Sequence, residues 1–216
     1  MKFFTAITMF FFLSTAVHAD LIKKTVEYKE SDAVLEGYLV YDDAREGKRP
    51  GVLVVHEWMG LNDFARSRAD QLAQLGYVAF AADIYGKGIR PTTPDAAGKE
   101  AGKYKTNRGW MRARVIAGLE ELKVQSNVDT AKLAAIGYCF GGTTVLELAR
   151  AGADVKAVVS FHGGLSKGDV PRHPVKARIL VLHGADDPFV PPAEVASFEE
   201  EMMNAGTKYK LVRYPG

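Results

Sequence analysis

Four short apolar runs constrain the fold of this chain more than anything else in it. They are GVLVVH at Gly51 to His56, YVAFAA at Tyr77 to Ala82, KLAAI at Lys132 to Ile136 and ARILVLH at Ala177 to His183. Each has the length of a strand, and an unbroken apolar run is what a strand covered on both faces requires. Amphipathic stretches lie between them. Asn62-Asp63 can cap a helix running to about Leu75, with Phe64, Ala65, Ala69, Leu72 and Leu75 turned inward and Gly76 closing it. Asn107 to Val124 and Thr143 to Arg150 read as further helices, and Pro191-Pro192 opens one that ends near Asn204. Val34 to Tyr41, Lys156 to Ser160 and Tyr209 to Tyr214 complete the strands, while Gly86 to Gly98 reads as a loop over the sheet edge. This alternation predicts an α/β domain with a mostly parallel sheet, helices on both faces and no helix after the last strand.

One strand-to-helix junction carries chemistry. The run Ile136-Gly137-Tyr138-Cys139-Phe140-Gly141-Gly142 sets the chain's single cysteine between glycines at a sharp turn. That is the pattern of a nucleophile elbow, with a thiol in the nucleophile's place. Glycine lets neighbouring backbone approach the turn, and the helix N-terminus beneath the sulfur favours thiolate over thiol. Outside such a context a lone cysteine is usually a small buried hydrophobe.

The first 19 residues stand apart from the domain. Lys2 supplies a basic start, Phe3 to Leu13 an apolar stretch, and Val17-His18-Ala19 a cleavage site, the layout of a signal peptide. Cleavage after Ala19 would leave 197 of the 216 residues, enough for one core, in a periplasmic or secreted protein. The whole chain holds 28 Lys and Arg against 26 Asp and Glu, with no basic run, which argues against a nucleic-acid or anionic-membrane partner. No Cys/His cluster has metal-ligand spacing, and a cysteine occupies the turn where a phosphate-binding loop needs an open amide. Neither metal nor cofactor is expected, and nothing in the pattern demands more than a monomer.

Function in a sheet of this kind gathers at the carboxyl ends of the strands. Those ends read His56-Glu57-Trp58, Asp83, Cys139, Phe161-His162 and His183-Gly184-Ala185-Asp186-Asp187. In a hydrolase of this architecture the acid follows the nucleophile in the chain and sits after a late strand, where both Asp186 and Asp187 fall. One of the two suffices, and Asp186 is the better fit to a turn residue.

The segments HEWMGLNDFARSRADQLAQLGYVAFAADIYGKG, IGYCFGG, SFHGGL and VLHGADDPFVPP together resemble the dienelactone hydrolase family of α/β hydrolases. The resemblance spans the whole chain after its first 19 residues. It implies an ester or lactone hydrolase with a Cys-His-Asp triad, in which Cys139 is the nucleophile and Asp187 the acid. It also implies that Glu57 pairs with the resting thiol, and that the backbone N–H groups of Trp58 and Phe140 form the oxyanion hole. The family's triad histidine follows the last strand, at a position past Gly216. A substrate-gripping arginine of the family falls near Lys87, and lysine is a point charge, not a fork. Lys87 and His162 are therefore the expected substrate contacts. Of the histidines present, His56 belongs to the oxyanion loop, His183 to a strand tip and His173 to a proline-rich turn, which leaves His162 as the substitute base. The alternatives are a general short-acyl esterase and an inert fragment lacking the triad histidine.

Overall fold

The central strands send alternate side chains into two separate cores. In a computed structural model describing residues 20–168 and 173–215, Val54, Ala79 and Ala81 point to one side of the sheet, and Leu53, Val55, Phe80 and Ala82 to the other. This period of two follows from the pleat. With both sides buried the strands read as continuous apolar runs. The predicted signal peptide lies outside the described residues.

In chain order the elements are β1 (Leu21–Glu30), β2 (Ala33–Asp42), β3 (Arg49–Val55), α1 (Asp63–Gln74), β4 (Val78–Ala82), α2 (Pro94–Thr106), α3 (Arg108–Lys123), β5 (Val128–Tyr138), α4 (Phe140–Arg150), β6 (Ala157–Phe161), β7 (Arg178–Gly184), α5 (Pro192–Asn204) and β8 (Tyr209–Tyr214). The strands form one sheet in the order β1-β2-β4-β3-β5-β6-β7-β8. The β1–β2 and β2–β4 pairs are antiparallel, and every other pair is parallel. The fold is that of an α/β hydrolase.

The smaller core lies under α1, where Ala65, Ala69 and Ala73 meet Tyr38, Val40, Val54 and Leu61. Small helix residues let the helix sit close to the sheet. The larger core takes Met111, Val115 and Leu119 of α3, Val145 and Leu148 of α4, and Val195, Phe198 and Met202 of α5. Each large apolar side chain buried this way contributes about 1.5–3 kcal/mol, before the opposing loss of chain entropy. Helices thus cover both faces, as the alternation predicted.

Three readings of the sequence need correction. β1 was not foreseen: its ten residues, LIKKTVEYKE, lie at the sheet edge, and only Tyr28 is buried. α2 occupies residues assigned in part to a loop; Thr93 caps it by accepting the Ala96 amide at 3.3 Å, and Pro94 opens it. Leu75, placed on the inner face of α1, is 71% exposed, because α1 ends at Gln74 and Ala73 takes the buried position.

Candidate active site

The site starts from a strained turn. Cys139 alone separates β5 from α4 and adopts φ 53° and ψ −115°, a conformation that a residue with a Cβ rarely accepts. Its amide donates to Phe161 O at 2.9 Å and its carbonyl accepts from the Thr143 amide at 3.3 Å, so both sides of the turn are held. Close approach of backbone makes the flanking glycines necessary. A Cβ on Gly137 would overlap the Gly141 carbonyl, and one on Gly141 would lie 2.6 Å from His56 O. The second approach presses the first turn of α4 against the end of β3, which brings the oxyanion loop over the cysteine.

Cys139 opens into a cleft of about 480 Å³ lined by Trp58, Phe140, His162 and Asp187, with Lys105 and Phe189 at its border. A wider cavity of about 710 Å³ lies at the amino ends of β6 and β7, and none of Cys139, His162 or Asp187 borders it. Burial pushes the Cys139 thiol up; backbone hydrogen bonds from Phe140 and Trp58 and the charge of Lys105 oppose this, and the charge of Glu57 adds to it. The resting group is therefore a thiol, although the helix terminus by itself favours thiolate. Burial outweighs the helix terminus. The two backbone groups expected to hold an oxyanion, those of Phe140 and Trp58, both favour the thiolate form.

The oxyanion loop is pinned from behind. His56 is fully buried, with Nδ1 2.6 Å from Glu57 O, and its Nε2 accepts from the Ile84 amide at 3.2 Å. Burial brings its pKa down to about 4, although the bond to Glu57 O works against this, so the ring is neutral at neutral pH. Glu57 O also accepts from the Gly60 amide at 3.1 Å. Tyr85 Oη donates to Trp58 O at 2.8 Å, and its ring stands edge-on to His56 at 4.8 Å.

The acid loop singles out one of its two aspartates. Asp187 lines the cleft, while Asp186 is exposed and does not. The Asp187 carboxylate accepts from the Phe189 amide at 2.9 Å, and the loop closes through Val190 N to Asp187 O at 3.3 Å. This leaves Phe189 89% exposed at the cleft's lip.

Other expected residues fall elsewhere. Lys87 is absent from the cleft lining; its ammonium is half-exposed and paired with Glu27, which β1 supplies. The cation lining the cleft is Lys105 of α2, which the sequence reading passed over together with Thr143. Asp83 is consumed by its own turn, accepting from the amides of Glu36, Tyr85 and Gly86 and pairing with Arg90 at 3.4 Å. His183 is 2% exposed and does not reach the cleft, whereas His162 lines it, at φ 42°. Among the described residues no histidine is bonded to Asp187, and no three His, Cys, Asp or Glu side chains group to hold a metal ion. No described helix is long and apolar enough to cross a membrane.

The chain is similar to known proteins in sequence and in fold. The sequence profile of the dienelactone hydrolase family matches residues 35–216. "Protein usf" of Aquifex pyrophilus is 30% identical over 88% of this chain and 83% of its own length. A "Putative carboxymethylenebutenolidase" of Methylorubrum extorquens is 28% identical over 90% of this chain and 70% of its own. Among solved structures, a dienelactone hydrolase-like promiscuous phosphotriesterase from metagenomic libraries superposes with a TM-score of 0.85. It is 37% identical and covers 91% of this chain and 82% of its own.

Proposed function

Because the chain belongs to the dienelactone hydrolase family, a family of carboxymethylenebutenolidase-type hydrolases acting on lactones or esters, we propose that Cys139 is its nucleophile. The observation that supports this reading is the strained elbow that holds Cys139 at φ 53° at the mouth of the cleft, with the backbone groups of Phe140 and Trp58 favouring its thiolate. Cys139 begins each cycle as a thiol, and Glu57, whose charge the sulfur feels, takes its proton as substrate enters. Sulfur attacks the carbonyl carbon, and the developing oxyanion takes over the two amides that had favoured the thiolate. Collapse breaks the carbon–oxygen bond and leaves a thioester; in a lactone the leaving oxygen stays tethered to the acyl chain. The proton held by Glu57 passes to the leaving oxygen; water then adds its hydroxyl to the thioester carbon, the carbon–sulfur bond breaks to release the carboxylic acid, and water's other proton returns the sulfur to thiol.

Asp187 is the acid that orients an imidazole in this scheme, and His162 contacts the substrate from the facing wall. The signal-like first 19 residues support a periplasmic or secreted location. The test is Cys139→Ala, assayed on a dienelactone and on a short p-nitrophenyl ester, with intact-mass detection of the acyl-enzyme. Removing the nucleophile is expected to abolish the acyl adduct and to cost at least about a thousandfold in rate. Unchanged turnover in that variant overturns the reading.

A further inference from the structure

The Glu57–Trp58 peptide has two working ends. Its N–H favours the Cys139 thiolate, and its carbonyl points back into the protein, where His56 Nδ1 lies 2.6 Å away. The unit is planar, so its two ends rotate together. A flip that broke the bond to His56 would turn a carbonyl oxygen toward the place where the oxyanion forms.

We infer that His56 is a positioning residue for hydrolysis, its Nδ1–H locking and polarising the peptide whose amide serves as one of the two oxyanion donors. The inference rests on the oxyanion-hole reading above. It follows from three features of His56. First, its tautomer is fixed: the Ile84 amide donates to Nε2, so that nitrogen carries the lone pair and Nδ1 carries the proton. Second, its orientation is fixed, by stacking on Phe140 at 5.9 Å and 14° and by the edge of Tyr85 at 4.8 Å. Third, it touches neither sulfur nor substrate: it is fully buried and does not line the cleft. An amide whose carbonyl already accepts a hydrogen bond is the better donor at its N–H. The Gly60 amide, also on Glu57 O at 3.1 Å, holds the same end but comes from the loop itself. His56 ties that loop to β4's exit through Ile84, an anchor outside the loop.

The test separates a donor at the δ position from packing. His56→Asn keeps an N–H donor where Nδ1 stood, His56→Gln moves it outward, and His56→Leu removes it. We expect His56→Leu and His56→Gln to lose about 10- to 100-fold in kcat with KM changed by less than about threefold, and His56→Asn to recover most of the loss. Because the same amide favours the Cys139 thiolate, the pH midpoint of Cys139 alkylation by iodoacetamide should rise in His56→Gln and return in His56→Asn. If His56→Leu does not fold, the Asn and Gln pair carries the comparison. Equal kcat and equal alkylation profiles in the Asn and Gln variants overturn the role of His56 while leaving Cys139 as nucleophile. Wild-type turnover in Cys139→Ala overturns both readings together.

Discussion

The backbone strain at the elbow should be measurable as stability by removing the side chain that causes it. Cys139 sits at φ 53° and ψ −115°, where a Cβ is crowded and glycine is not. A conformation of this kind costs about 1–3 kcal/mol. Comparing Cys139→Gly with Cys139→Ala cancels loss of the thiol, which both share, and no side-chain cap is at stake because Cys139 makes none. Glycine's freer unfolded chain returns about 0.5–1 kcal/mol of the gain. The glycine variant should therefore be the more stable by about 1 kcal/mol, within a range of about 0–2.5. For a domain of this size that is a rise of about 2–4 °C in Tm. Urea titration and thermal melts of the two variants, both inactive, give the difference directly. An alanine variant as stable as the glycine one would show that the turn stores no strain, and the reasoning would fail at its first step.

Two further outcomes follow from buried charge. His56 has its pKa lowered by burial from 6.5 to about 4, so as pH falls the unfolded chain takes the proton first. Its contribution is complete above pH 6.5 and disappears toward pH 4, a loss of roughly 3 kcal/mol at about 1.4 kcal/mol per unit. Asp83 and Arg90 are the charged groups that face it. Urea midpoints should fall more steeply between pH 6.5 and 4.5 in the wild type than in His56→Asn, and parallel slopes would refute the assignment. At the other end of α4, Arg150 is 1% exposed and pairs with Glu147 at 2.9 Å and Glu201 at 2.8 Å, and it donates to Leu165 O at 2.8 Å. Arg150→Met strips that guanidinium from two buried carboxylates and should cost about 3–5 kcal/mol in chemical denaturation. A cost below about 1 kcal/mol would mean that the carboxylates find other partners or protonate without penalty.

What the sequence disclosed depends on the distance over which each feature is decided. The buried parallel strands were legible because burial on both faces writes an apolar run into a few consecutive residues. The elbow was legible for a similar reason: strand, glycine, nucleophile and helix are contiguous. β1 carries no such mark, since an edge strand with one half-wet face reads as a charged segment. That omission spread. Lys87 was expected to meet a substrate because the family's arginine falls near it, and without β1 nothing disclosed Glu27, with which it is paired at the surface. Without α2 there is no Lys105 in the cleft. The Thr93-Pro94 pair that begins α2 was the available signal, a capping residue followed by a proline that favours a first turn.

The protonation of Cys139 shows why local rules do not suffice at the site itself. A helix N-terminus stabilises a nearby anion by about 0.3–1 kcal/mol when exposed and about 2 kcal/mol at best. Desolvation can exceed this several-fold, and how much of it applies depends on what covers the sulfur. Here the cover comes from the oxyanion loop after β3, the acid loop after β7 and the His162 loop after β6, three segments far apart in the chain. Burial wins, and Cys139 rests as a thiol. The enclosure that, in the proposed mechanism, supplies two amides to an oxyanion therefore also removes the free thiolate that a helix terminus alone would suggest. Attack must then be coupled to proton removal, the step the proposed mechanism gives to Glu57, whose charge the sulfur feels.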